Sequence, residues 1–258
     1  MSSGTFAPAP GAAPLPRQVL AQARMETRLL LRNGEQLLLA IVIPLIVLVG
    51  GILAADHIHL NTTGSAVDTL TPGVLALAVM STSFTSLAIA TGFERRYGVL
   101  KRLGASPLPR SGLLAGKVGA LLFVEVLQAI VICVVAIFLA WAPALTPAAV
   151  VGALLTAVLG TAAFASLGLL VAGALRAEAT LAAANLIYLL LMAGGAVVLP
   201  TETYGAFGHV LSYLPSGALG GGLRQSLLGQ GFPGWHLLVL AGWTALGALL
   251  TSRTFKWE

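Results

Sequence analysis

Charge is what this sequence has least of. Only 9% of its 258 residues are Asp, Glu, Lys or Arg, against about 25% in soluble domains, which excludes an ordinary water-soluble globule. Cysteine is nearly absent: Cys133 is the single one. It lies inside an apolar run, so an intrachain disulfide and a thiolate metal cluster are both excluded. The first sixteen residues lack a basic stretch leading into an apolar core and so do not read as a secretory signal. Rich in Pro, Ala, Gly and Ser, they are expected to form a disordered tail. A nucleotide-binding P-loop is lacking as well. Ser111-Gly-Leu-Leu-Ala-Gly-Lys-Val118 comes nearest. Ser111 replaces the first glycine, Val118 replaces the metal-binding hydroxyl, and the flanks are apolar rather than strand and loop. The chain is not expected to hydrolyse ATP.

What abounds is apolar side chain, 57% of the residues. It is gathered into six runs, Leu37–Ala55, Pro72–Gly92, Leu113–Ala142, Thr146–Leu175, Ala179–Leu199 and Trp235–Ser252. Each is near or above the roughly 20 residues a helix needs to cross a hydrocarbon core. The expected fold is an all-α membrane protein, one transmembrane domain over residues 17–258 with six spans. With the N-terminus inside, thirteen of the fourteen Lys and Arg residues fall in the cytoplasm or at its surface, and only Arg224 is left outside. Basic residues retained inside set topology, so both termini are expected to be cytoplasmic. The net charge of +5 then reflects orientation and contact with anionic lipid rather than nucleic acid.

Between the runs the sequence gives finer expectations. Val19–Gln36 reads as an interfacial helix, with Arg24, Arg28 and Arg32 on one stripe and Val19, Ala23 and Leu30 roughly opposite. Glu26 interrupts that apolar side. Pro44 implies a kink in the first span. The second span carries Ser81, Thr82, Ser83, Thr85, Ser86 and Thr91, whose hydroxyls are expected mainly to bond back to their own helix. Gly152, Thr156 and Gly160 form a small-residue ridge for close helix packing, within the bundle or between subunits. Thr201–Gly234 is too broken to span and is expected to form short extracytoplasmic helices before the last span.

The inner connection between spans two and three carries the most information. Glu94–Leu103 reads as one amphipathic helix, with Val99, Leu100 and Leu103 on one face and Glu94, Tyr97 and Lys101 on the other, stopped by Gly104 and Pro107. It is either a solvated, topology-fixing helix or a docking element for a cytoplasmic partner. Glu125, with Gln128 at i+3, is a carboxylate deep in an apolar run. A charge at that depth costs several kcal/mol, by estimates from roughly 2.5 upward. It marks either a contact for a cationic substrate, a proton-linked switch, or a hydrogen-bonded brace. His57 and His59 beside Asp56 are expected to be loop residues without metal. Ser216 and His236 raise an intramembrane serine protease, but Leu214-Pro-Ser-Gly217 lacks the leading glycine of such a nucleophile motif. A secondary, ion-coupled transporter is the nearer alternative, although it asks for more intramembrane ionisable groups.

The spacing Glu94, Gly98, Leu100, Leu103, Pro107 and then Lys117 at the opening of the next span resembles the permease subunits of ABC-2 type exporters. So do Leu29-Leu-Leu-Arg-Asn33 before a Pro-containing span and the series Leu199-Pro200, Leu214-Pro215 and Gly222-Leu-Arg224 before the last one. The resemblance runs from about Val19 to the C-terminus. It implies a permease in the cell membrane that works as a homo- or heterodimer with a cytoplasmic ATP-binding subunit. ATP and Mg²⁺ would sit in that partner, with no cofactor in this chain. Glu94, Arg95, Tyr97, Gly98, Leu100, Lys101 and Leu103 would form the coupling helix that contacts the ATPase. The cargo would be a hydrophobic or amphiphilic solute moved outward, in the drug or lipid exporter branch. Glu125 and Gln128 are placed on the substrate path, and Pro215 and Arg224 at the outer gate.

Overall fold

The computed structural model describes residues 13–32, 34–58, 65–104 and 108–254; the side chains of residues 35–39, 56–58, 104 and 110 are outside that description. Helix α1 is Leu15–Arg32 and α2 is Gly34–Ile58. Helix α3 runs as one piece from Ala66 to Arg96, with a π turn at Ser81–Ser86. A stub, α4, covers Val99–Gly104. Then come α5 (Arg110–Phe138), α6 (Pro147–Ala174) and α7 (Ala177–Gly194). A 3₁₀ turn at Thr201–Phe207 leads into α8 (Gly208–Leu211), α9 (Pro215–Leu227) and α10 (Gly234–Thr254). The described residues are all-helical, without strands.

Among the described residues, five helices are long and apolar enough to cross a membrane: α3, Ser111–Phe138 of α5, α6, α7 and α10. Ala40–Ala55 of α2 is a shorter apolar helix. A bilayer leaves no water for backbone groups, so helices with closed internal ladders are the natural solution. Local chemistry sets their ends. Ser65 caps α3: its Oγ accepts from the Asp68 N–H at 3.2 Å and donates to Asp68 Oδ2 at 2.6 Å. Thr146 caps α6 through the Ala149 N–H at 3.2 Å, with Pro147 in the first turn where its missing N–H costs nothing.

Several run boundaries move. The third run ends at Phe138 rather than Ala142. Ala140 turns left-handed (φ 67°), and the Trp141 N–H bonds back to the Ala136 carbonyl at 2.9 Å, closing the helix end over a buried Trp141. The fifth run ends at Gly194 rather than Leu199, because Gly195–Leu199 leaves the helix through Ala196 (φ 52°) and buries its carbonyls inside the protein. The N-terminal helix starts four residues earlier than expected and ends at Arg32, not Gln36.

The interior is organised around α3, which is almost entirely buried from Thr69 to Ala88. Helix α9 is the other buried element, and at 13 residues it is too short to cross. It lies between α3, α6 and α10. The ridge on α6 receives it: Gly152 faces Ser226, Thr156 faces Gly222 and Gly160 faces Leu219. The ridge is therefore a packing surface within one chain. Two turns further along α6, Gly168 lets the backbone of the π turn approach; a Cβ there would stand 2.8 Å from the Phe84 carbonyl oxygen. The hydroxyl-rich span expresses itself as this π turn, a form found mostly as single turns at functional positions. Ser83 does bond back to Val79, at 2.6 Å, but Thr82 donates to Gln128 on α5 at 2.9 Å.

Candidate functional site

Helix α1 lies along the first half of α5 and fits there because α5 is bare. A Cβ on Gly116 would stand 2.6 Å from Gln22 Cγ, and Ala23 passes over Gly119. Gly116 of the imperfect P-loop is thus part of a seat for a helix, and the motif's lysine has a structural partner. Lys117 is 4% exposed, with Nζ 2.9 Å from Glu26 of α1 and 2.7 Å from Glu94 of α3. Gln22 Nε2 donates to the same Glu26 oxygen at 2.8 Å. A buried ammonium needs compensating charge, and here two carboxylates from two other helices supply it. Glu26, which seemed a flaw in an apolar face, is the counter-ion. An isolated acid on the packed side of α1, read together with a lysine opening an apolar span, was the available signal.

The connection beyond this knot is hinged. Helix α3 ends at Arg96 and the chain turns through Tyr97 and Gly98, with Gly98 left-handed (φ 67°) and its N–H bonded to the Arg95 carbonyl at 3.1 Å. The single helix expected over Glu94–Leu103 is therefore two pieces. Glycine is the residue that takes this conformation without a Cβ penalty. The break corrects the expected outward face. Tyr97 (65% exposed) and Lys101 point away from the protein, and Leu100 is buried as expected. Glu94 instead turns inward to Lys117. Arg95 is also drawn in: its guanidinium donates to the carbonyls of Gly173 and Leu175, both at 2.5 Å, at the end of α6. Leu103 is half-buried; Pro107 lies outside the described residues.

Within the bundle, Glu125 is buried and accepts from Thr161 Oγ1 of α6 at 2.6 Å, while its other oxygen has no hydrogen-bond partner. Gln128 is fully committed. It accepts from Thr82 and donates to the Ala40 carbonyl at 2.9 Å, bracing α5 against α3 and α2. Two to three turns along α5 from Glu125 toward Lys117, a cleft of about 470 Å³ opens between α5, α6 and α10. Leu114, Val118, Ala162, Leu169 and Ala248 are among its mostly apolar walls, and Lys117 stands at its edge.

At the opposite end, Arg224 is buried on α9 and spends its guanidinium on backbone. Nε donates to the Thr69 carbonyl at 3.2 Å, and one terminal nitrogen donates to those of Val197 at 3.3 Å and Val198 at 2.7 Å. Pro215 occupies the first turn of α9 and is buried. Ser216 donates to the Gly195 carbonyl at 2.7 Å, and His236 packs over Gly221 with Nδ1 unpartnered. The geometry offers the protease reading no Ser–His pair among the described residues. Asp56, His57 and His59 fall outside the described side chains. Among the described residues no three His, Cys, Asp or Glu side chains are grouped to hold a metal.

The described residues thus present a hinge, an ion knot and a mostly apolar cleft. In comparison with known proteins, a family model described as an ABC-2 family transporter protein matches residues 52–253. No curated protein matches the chain.

Proposed function

This chain belongs to the ABC-2 family of transporter proteins, and from that premise we propose that it is the membrane half of an ATP-driven exporter of hydrophobic or amphiphilic solutes. As an ABC transporter permease it is a multi-pass protein of the cell membrane, and the family implies association with an ABC ATPase. The finer reading concerns how the parts work. Six spans with cytoplasmic termini put Tyr97, Gly98 and the α4 stub on the ATPase side, with α2 as the first span. Two permease halves pair around the path, and each engages one ATP-binding subunit. Helix α1 lies at the inner interface.

One observation supports this reading most: Lys117 joins Glu94, three residues before Tyr97, to Glu26 on α1. A push on Tyr97 in the turn and Lys101 on α4 reaches α3, α5 and α1 together. Glu125 and the adjacent cleft belong to the substrate path, with the unpartnered carboxyl oxygen suited to a cation carrying an apolar body. Gln128 supports that path from behind, and Pro215 and Arg224 hold its outer end.

The test is Gly98→Trp. The space around Gly98 is open, but its φ of 67° strains any side chain, so Gly98→Ala is the control for the backbone and the indole of Gly98→Trp adds the block to docking. Efflux of lipophilic dyes should fall to background while the protein still inserts and the partner still hydrolyses ATP. Wild-type coupling in that variant would remove the docking argument. Glu125→Gln should lower efflux of cationic dyes and spare neutral ones. Equal efflux of both kinds would leave Glu125 a brace to Thr161.

A further inference from the structure

A pocket of about 400 Å³ lies where α3 ends and α7 begins, lined by Gly92, Arg95, Arg96, Arg176, Ala177 and Glu178. Three arginines against one glutamate leave its walls with a net charge of +2. Their commitments differ. Arg95 is held by the carbonyls that end α6. Arg96 pairs with Glu178, and both side chains are at least half exposed. Arg176 is exposed; its carbonyl accepts from the Thr180 N–H at 2.7 Å, but its guanidinium makes no hydrogen bond or ion pair among the described residues. The pocket therefore has one fixed cation, one in an exchangeable pair and one unused.

The depth of the pocket selects its occupant. Arg96 is the last residue of one candidate span, Ala174 the last of a second and Ala177 the first of a third. Three apolar helices end around one basic hollow, which places it where hydrocarbon gives way to headgroups. Basic pockets between membrane helices at that level take anionic headgroups, and a guanidinium fork matches a phosphate's oxygens. We propose that this pocket binds the headgroup phosphate of an anionic phospholipid, with Arg176 as its primary contact and Arg96 shared between lipid and Glu178. Helix α1 also carries exposed arginines, but they form an open stripe without a hollow. The site requires only that the chain spans a bilayer, not that it exports any particular solute.

The experiment uses the full chain, reconstituted with equal amounts of phosphatidylglycerol and phosphatidylcholine, then extracted and examined by native mass spectrometry for retained lipid. Wild type should keep phosphatidylglycerol in preference to phosphatidylcholine. Each juxtamembrane charge contributes about 1 kcal/mol, so Arg176→Ala should lower that retention about fivefold and Arg176→Glu about thirtyfold, while Arg176→Lys largely keeps it. Arg28→Glu, on the open stripe of α1, should leave it within about twofold. Three outcomes overturn the proposal. Unchanged retention in Arg176→Glu does so directly, and if that variant has also lost a co-purifying ATP-binding subunit, the pocket is a protein contact. Equal losses in Arg28→Glu reduce the site to diffuse surface charge. Displacement of the lipid by inorganic phosphate alone makes it a free-anion site.

Discussion

Two buried cations tie this bundle together, and their partners are of opposite kinds. Lys117 sits between carboxylates from α1 and α3, all three of them side chains. Arg224 meets only carbonyls, from the start of α3 and from the irregular turn after α7. Carbonyls move only if the backbone moves, so Arg224 fixes a conformation. Carboxylates sit on rotatable stems, so Lys117 can lean toward Glu26 or Glu94 while its charge stays compensated. The rigid cation belongs to the end built from a buried short helix; the adaptable one belongs to the end with the Gly98 hinge.

The comparison can be broken by substitution. The largest effect is expected from Lys117→Ala, which leaves two buried carboxylates facing each other and should cost about 3–5 kcal/mol. It would appear as a steep drop in thermal stability in detergent, read by size-exclusion chromatography. Adding Glu26→Gln and Glu94→Gln to that variant should restore much of it. Without such rescue, the knot holds by packing rather than by charge. Arg224→Lys comes next, at about 2 kcal/mol, because a point ammonium cannot reach three carbonyls on two segments. A silent Arg224→Lys would mean that α9 is held by its ridge alone. The smallest change is expected from Glu26→Gln, within about 1 kcal/mol, since Glu94 still balances Lys117 and the amide can still accept. If it matched Lys117→Ala, the two carboxylates would not be interchangeable and the contrast with Arg224 would fail.

The sequence made the long helices easy to read, because lipid-length apolar runs have few other solutions. It was less informative where burial depends on a partner helix. Glu26 broke a face that only the approach of Lys117 completes. The hinge at Gly98 was hidden inside a good amphipathic pattern, since periodicity records side-chain faces and not the sign of φ. Helix α9 read as a fragment at the interface because Gly220, Gly221 and Gly222 look like helix breakers; here Gly220 and Gly222 let the Val197 carbonyl and Thr156 come close. The inward turn of Arg95 depends on where α6 ends, a relation between residues 78 and 80 positions apart. By contrast, the ridge on α6 was legible in full as a packing surface, and only its recipient was open.

The π turn of α3 also governs how its two halves are phased. An α-helix advances about 100° per residue, so a single extra residue wound into Ser81–Ser86 rotates everything after it by roughly that angle. Upstream, Thr69 and Gly73 are aimed at Arg224 and Val198; downstream, Glu94 is aimed at Lys117. Unwinding that turn into ordinary α geometry would swing Glu94 away from its lysine while the other half kept its bearings. A bundle built this way stores a discrete step of rotation, with Gly168 as the notch that accepts it.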